Sequence, residues 1–257
     1  MSDMQTQPVA TTPEQGAGLS QIQRVVNTFA APSKTFNDIR DHSRSWWLPF
    51  LIYVAIGYAF FAVVNNKVGM RQLSENQIQI SPKAQERMAN ATPEQREAGM
   101  KITVAITEGF FIAGPVIVLI AIAVGSLVLW GTINFGFGGK AKYGQIFATW
   151  MYAGLPGVFK PLLGMVLLMM GTAPDTFNIK NYAPTNPAAL LMNPAEASPA
   201  LYALASSIDV TTIWTVVLIG IGLAAVARVK RSSGYITSFG WWALIVLVGA
   251  GFAAAFN

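Results

Sequence analysis

Two places in this 257-residue chain hold residue types that could do chemistry. One is the single histidine, His42, with Asp41 beside it and Asp38 one helical turn earlier. An imidazole held by a carboxylate can move a proton, which is the arrangement general acid–base catalysis uses. The other is Lys160, in GLPGVFKPLLG (residues 154–164), where an amine and Gly157 stand between Pro156 and Pro161 in an otherwise apolar run. A lysine so placed can bind an anion or a lipid headgroup, gate a transport path, or serve as a polar joint in a helix.

Neither place makes an enzyme. The His42 neighbourhood, SKTFNDIRDHSRS, is polar, and a solvated surface histidine accounts for it. Hydrolytic or metal chemistry needs paired carboxylates, a nucleophile with its base, or a ligand cluster, and no HExxH, phosphate loop or GxSxG occurs. The absence of cysteine removes disulfides, thiolate catalysis and cysteine metal sites. The glycines and lysines of FGFGGKAKYG suit a flexible loop. No catalytic residue, cofactor or metal ligand is expected.

What positions Lys160 is a membrane. With 53% hydrophobic and 11% charged residues, the chain carries more apolar surface than a soluble domain of this length buries. Five windows approach or exceed the roughly 18–20 residues that cross hydrocarbon as a helix: 46–64, 110–135, 146–171, 210–227 and 239–256. Lys160 is their only Asp, Glu, Lys or Arg. Trp46, Trp47, Trp150, Trp214, Trp241 and Trp242 fall near span starts and Trp130 near an end, at the headgroup level that indole prefers. The expected fold is all-α, an integral bundle of five transmembrane helices with N-terminal amphipathic interfacial helices.

Residues 1–19 are polar and read as a disordered tail without the basic and apolar regions of a signal peptide, so the first span serves as insertion signal. The remaining 20–257 form one membrane domain. Basic residues of short loops set its orientation. Arg24, Lys34, Arg40 and Arg44, then Lys140 and Lys142, then Arg228, Lys230 and Arg231 share one side; 172–209 holds only Lys180 and the C-terminus none. The N-terminus is therefore expected in the cytoplasm and the C-terminus outside. Scattered over loops on both sides, the excess of five positive charges makes no nucleic-acid face.

In LSQIQRVVNTFAAP, Ile22, Val25, Val26 and Phe29 keep helical spacing behind Ser20 as N-cap. After Pro32, Phe36 and Ile39 continue the pattern. Two short helices follow, lying at the cytoplasmic headgroups or packing on the bundle. In the polar loop 65–109, Ser81-Pro82 and Thr92-Pro93 each offer an N-cap and a proline at the first helical position, and Thr92 with Gln95 fits a capping box, so a helical hairpin is expected. Ser198-Pro199 opens another short helix.

These features in this order resemble the Yip domain family, the Ypt/Rab-interacting five-span membrane proteins, and its bacterial members in particular. The similarity is carried by RVVNTFAAPSKTFNDIRDHSRSWWLPFLI, TPEQREAG, KYGQIFATWMYAGLPGVF and IDVTTIWTVVLIGIGLAAVARVKRSSGYITSFGWW, over about residues 22–256. The resemblance implies a role in membrane trafficking or organelle shaping, contact with small GTPases, and a bacterial cytoplasmic membrane for this chain. Of the motifs shared by eukaryotic members, Trp46-Trp47-Leu48-Pro49-Phe50 keeps the proline and Tyr143-Gly144-Gln145 the Tyr-Gly pair. Trp47, Pro49, Tyr143, Gly144 and Lys230 are the candidate cytoplasmic contacts.

Counted from Gln145, Lys160 lies about 22 Å along a helix, near mid-membrane, at an insertion cost of about 3 kcal/mol. Pro156 and Pro161 cannot donate to the carbonyls of Tyr152 and Gly157, and Lys160 is expected to answer those freed acceptors in a kinked third span. No carboxylate lies inside a span to form a proton relay; Glu108 and Asp209 sit at span edges. Small residues four apart, Gly109-Ala113, Ala121-Gly125, Gly220-Ala224 and Gly249-Ala253, let helices approach within the bundle or in a homo- or hetero-oligomer. The reading is a noncatalytic membrane organiser or adaptor whose partners are lipids and other proteins. The alternative is a small transporter or permease subunit using Lys160.

Overall fold

The computed structural model describes residues 18–194 and 196–256. Two short helices open the chain, α1 (Gln21–Ala30) and α2 (Pro32–Asp41), followed by the long α3 (Trp47–Lys67). Then come α4 (Met70–Gln79), α5 (Pro82–Ala89) and α6 (Pro93–Gly131), which ends in a π turn, Thr132–Gly136. The third span is α7 (Tyr143–Ala153), a 3-10 segment Leu155–Val158 and α8 (Phe159–Met169). After a loop holding α9 (Pro187–Leu191) and α10 (Pro199–Ser207), the chain closes with α11 (Val210–Ala227) and α12 (Arg231–Phe256). No strand occurs among the described residues, and five helical stretches are long and apolar enough to cross a membrane. The polar tail read for 1–19 lies, up to residue 17, outside the described residues.

Helix starts follow local chemistry. Ser20 accepts from the Gln23 amide while the Gln23 side chain accepts from the Ser20 amide, and Thr92 and Gln95 form the same reciprocal box. Ser198 caps α10 through the Leu201 amide. Ser81 makes no capping bond, so α5 rests on Pro82 alone for its start.

The second span begins earlier than its apolar window. α6 has 39 residues, about 58 Å at 1.5 Å each, nearly twice the hydrocarbon thickness. Its first turns stand clear of the membrane as a post for α4, tied by Arg71 Nη2 to Glu97 at 3.0 Å. α12 likewise starts at Arg231, ahead of its window at 239.

α11 is the hub: 56% of its apolar window is buried in the molecule, against 17% for α3, α6 and α12. Phe36, Ile39, Ile146, Tyr152, Leu223 and Val226 form the core around it. A second cluster joins Phe60 and Val64 of α3 to Leu73, Leu168 and Phe177. Side chains such as Phe110, Ile120 and Val124 of α6, and Ile245 and Leu247 of α12, are exposed on the outer faces, where lipid is their solvent.

The N-terminal arm packs on the bundle through one face and leaves another open. Phe36 and Ile39 of α2 are fully buried, and Phe36 reaches α11 because Gly222 has no side chain there; an added Cβ would lie 3.1 Å from the ring. On α1, Ile22 and Val26 remain exposed, an apolar edge left for lipid. A buried pair fastens α1 to α2: Arg24 Nε donates to Asp38 Oδ2 at 2.5 Å. Asp38 Oδ1 accepts from the Leu19 amide and also lies 3.1 Å from His42 Nδ1. Half-exposed, His42 is a surface histidine that finishes this clasp.

Candidate functional site

The third span is broken where its prolines stand. α7 stops at Ala153 and the chain turns through the 3-10 segment before α8 resumes at Phe159, because neither Pro156 nor Pro161 has an amide to continue the ladder. The acceptors near the break are answered locally. The Gly154 amide reaches the carbonyls of Trp150 and Tyr152, and the Tyr53 hydroxyl of α3 donates to the Met151 carbonyl at 2.5 Å.

Lys160 does something other than the sequence suggests. Its ammonium donates to Asp209 Oδ2 at 3.1 Å and lies 5.7 Å from the centre of the Tyr182 ring, instead of serving a proline-freed carbonyl. A carboxylate is the stronger partner for an ammonium. Asp209 is held in place beforehand as the N-cap of α11.

Asp209 is 2% exposed, yet both its oxygens are occupied. Oδ1 accepts from Thr211 Oγ1 at 2.7 Å and from the amides of Thr211 and Thr212. Oδ2 accepts from Thr185 Oγ1 at 2.5 Å, from Lys160, and from Asn186 Nδ2 at 3.4 Å. Burial opposes its ionisation, but the hydrogen bonds from Thr185, Thr211 and Lys160, with the lysine's charge, outweigh that and hold the carboxyl below the usual range. Burial, and then the Asp209 charge, push the Tyr182 hydroxyl up to about 12. The network extends outward: Asn186 and Asn181 exchange side-chain hydrogen bonds, and Asn181 donates to Tyr202 Oη at 3.1 Å.

The arrangement is a closed clasp between the third span, the fourth span and the loop between them. Of the four predicted residues, Pro156 and Gly157 lie in the break, Pro161 lies in the first turn of the resumed helix and Lys160 alone carries charge. Gly157 and Pro161 also line an apolar hollow of about 250 Å³ with Tyr53, Ile56, Val118 and Ile122. Sequence reasoning missed Tyr182, Thr185 and Asn186, and placed Asp209 only at a span edge. The available signal was Asp209 itself, an acid directly before an apolar window on the side toward which the third span runs.

At the opposite end of the bundle, Tyr143 and Gly144 meet Arg44, Trp46 and Phe147 around a groove of about 320 Å³. The Tyr143 hydroxyl donates to the Ala123 carbonyl at 3.0 Å. Trp47 is exposed in the first turn of α3, and Lys230 is exposed between α11 and α12 without lining that groove. Pro49 is a correction: it is buried in α3, so it packs the span and offers no contact surface.

Among curated proteins and solved structures nothing matches the chain. The Yip1 domain family model matches residues 26–253, which takes in the second half of α1, α2, the broken third span, Asp209 and most of α12, and the chain belongs to that family.

Proposed function

We propose that this protein is a noncatalytic membrane organiser or adaptor, seated in a bacterial cytoplasmic membrane with its N-terminus inside. One observation carries the reading: the charged groups inside the molecule are matched to one another, Lys160 to Asp209 and Arg24 to Asp38. Pairs of that kind fix elements in place and leave no reactive group waiting for a substrate. The docked arm, the Arg44–Tyr143 groove, Trp47 and Lys230 then form the contact surface on the arm side. Contact with a small GTPase is the class of partner that family membership suggests for it.

Co-purification from native membranes tests the reading. A protein partner that returns reproducibly with the wild type and is lost with Tyr143→Ala or Arg44→Ala supports it. Recovery of lipid alone counts against it.

A second reading rests on the coincidence of the helix break with an ion pair, a pattern that transporters use at binding sites. For a transporter, the paired substitution Lys160→Met/Asp209→Asn abolishes flux while the protein keeps its elution profile and helicity. Flux unchanged in that variant removes the transport role.

A further inference from the structure

A cavity of about 520 Å³ lies between the α4–α5 junction, the loop before α9, α10 and the last turns of α12. It sits at the end of the bundle away from the arm, since α12 starts at Arg231, whose guanidinium reaches Ser33 of α2, and runs about 33 Å before reaching the cavity at Ala253. This is the level where the far headgroup region meets hydrocarbon.

One wall carries donors. Among the described residues Lys180, which is exposed, makes no ion pair and no carboxylate lines the cavity. Tyr202 Oη accepts from Asn178 and Asn181, and its own proton has no acceptor among the described residues. Ser206 Oγ is buried with no hydrogen-bond partner among the described residues. Such a group costs stability unless something answers it. The other wall is hydrocarbon, from Ile80, Ala253 and Ala254. Three donors facing an apolar wall match neither a free inorganic anion nor a neutral hydrocarbon; they match an anionic head joined to a chain.

We propose that this cavity binds an anionic lipid, its phosphate or carboxylate taken by Lys180, Tyr202 and Ser206, and its first methylenes laid along Ala253 and Ala254. The site is separate from the arm-side contact surface and does not depend on the adaptor reading. Through Tyr202, Asn181 and Asn186 the head is joined by hydrogen bonds to Asp209, so an occupied cavity steadies the loop that holds the Lys160 counter-ion.

Native mass spectrometry of the full chain in detergent tests this, with phosphatidylglycerol, phosphatidylcholine of the same chains, and inorganic phosphate as probes. The expected result is preferential retention of phosphatidylglycerol, lowered roughly fivefold by Lys180→Gln, the effect of about one basic contact. Ala254→Trp, which fills the apolar wall, lowers lipid retention as well. Equal retention of the two lipids overturns the proposal, as does an equal fall with Lys230→Gln at the other end, which reports annular lipid only. Displacement of the lipid by phosphate with no effect of Ala254→Trp assigns the cavity to a free anion and overturns it too.

Discussion

At the scale of single residues, Asp209 governs the interior. Replacing it with Asn keeps the capping acceptor but leaves the Lys160 ammonium facing a neutral amide, at a cost of about 3 kcal/mol for breaking one side of a buried pair. Lys160→Met leaves the carboxylate without its cation and costs a similar amount, whereas Lys160→Met with Asp209→Asn together costs less than the sum, because no uncompensated charge remains. Thermal unfolding of the variants in detergent measures these differences; full additivity would mean that the pair is not coupled. The pH dependence follows from the lowered carboxyl. Its contribution is complete above the ordinary carboxylate value of about 4 and fades as pH drops through the lower native one. The gap in melting temperature between wild type and Asp209→Asn is therefore constant near neutrality and closes in strong acid.

At the scale of elements, the arm and the helix contacts divide the molecule into fixed and open faces. The Arg24–Asp38 pair holds α1 on α2, with Thr28 and Thr35 hydroxyls both donating to the Arg24 carbonyl. Asp38→Asn removes the charge that Arg24, 2% exposed, depends on. Hydrogen exchange then rises tenfold or more across residues 18–42, corresponding to at least about 1.4 kcal/mol of local stability; unchanged protection would show that Phe36 and Ile39 hold the arm unaided. The small-residue pairs differ among themselves. A Cβ on Gly234 would lie 2.1 Å from the Gly220 carbonyl oxygen, so α12 and α11 touch backbone to backbone there, and a Cβ on Gly125 would strike Trp150. A Cβ added at Gly109 or Gly249 would meet no atom of a neighbouring element within 4 Å among the described residues. We expect Gly234→Val to lower stability by about 3 kcal/mol through overpacking. Gly249→Val leaves stability unchanged and weakens any dimer formed on that face, as crosslinking of native membranes reports.

At the scale of the whole molecule, five spans put the two ends of the bundle on opposite sides of a membrane, and the chain offers a clean way to check it. There is no cysteine, so single cysteines placed at Lys34 and at Lys180 are unique labels. In intact cells an impermeant thiol reagent labels Lys180→Cys and spares Lys34→Cys until the membrane is permeabilised. Labelling of both from the same side contradicts five spans, and the reverse pattern inverts the orientation. The same division frames function: contact with proteins is proposed for the arm side and lipid recognition for the far side.

Much of this was legible in the chain. The apolar windows outnumber what a soluble core needs, prolines mark the break in the third span, and Ser20-Gln23 and Thr92-Gln95 announce helix starts, because hydropathy, proline geometry and capping act over a few residues. The tertiary structure alone decided that Lys160 answers Asp209, 49 residues away, and not the carbonyls beside it. It also decided which glycines are contacts and which are open, and that Lys180, Tyr202 and Ser206 share one cavity with the end of α12. Charge pairing and close packing depend on distances that the folded chain sets between remote residues, and sequence spacing does not contain them.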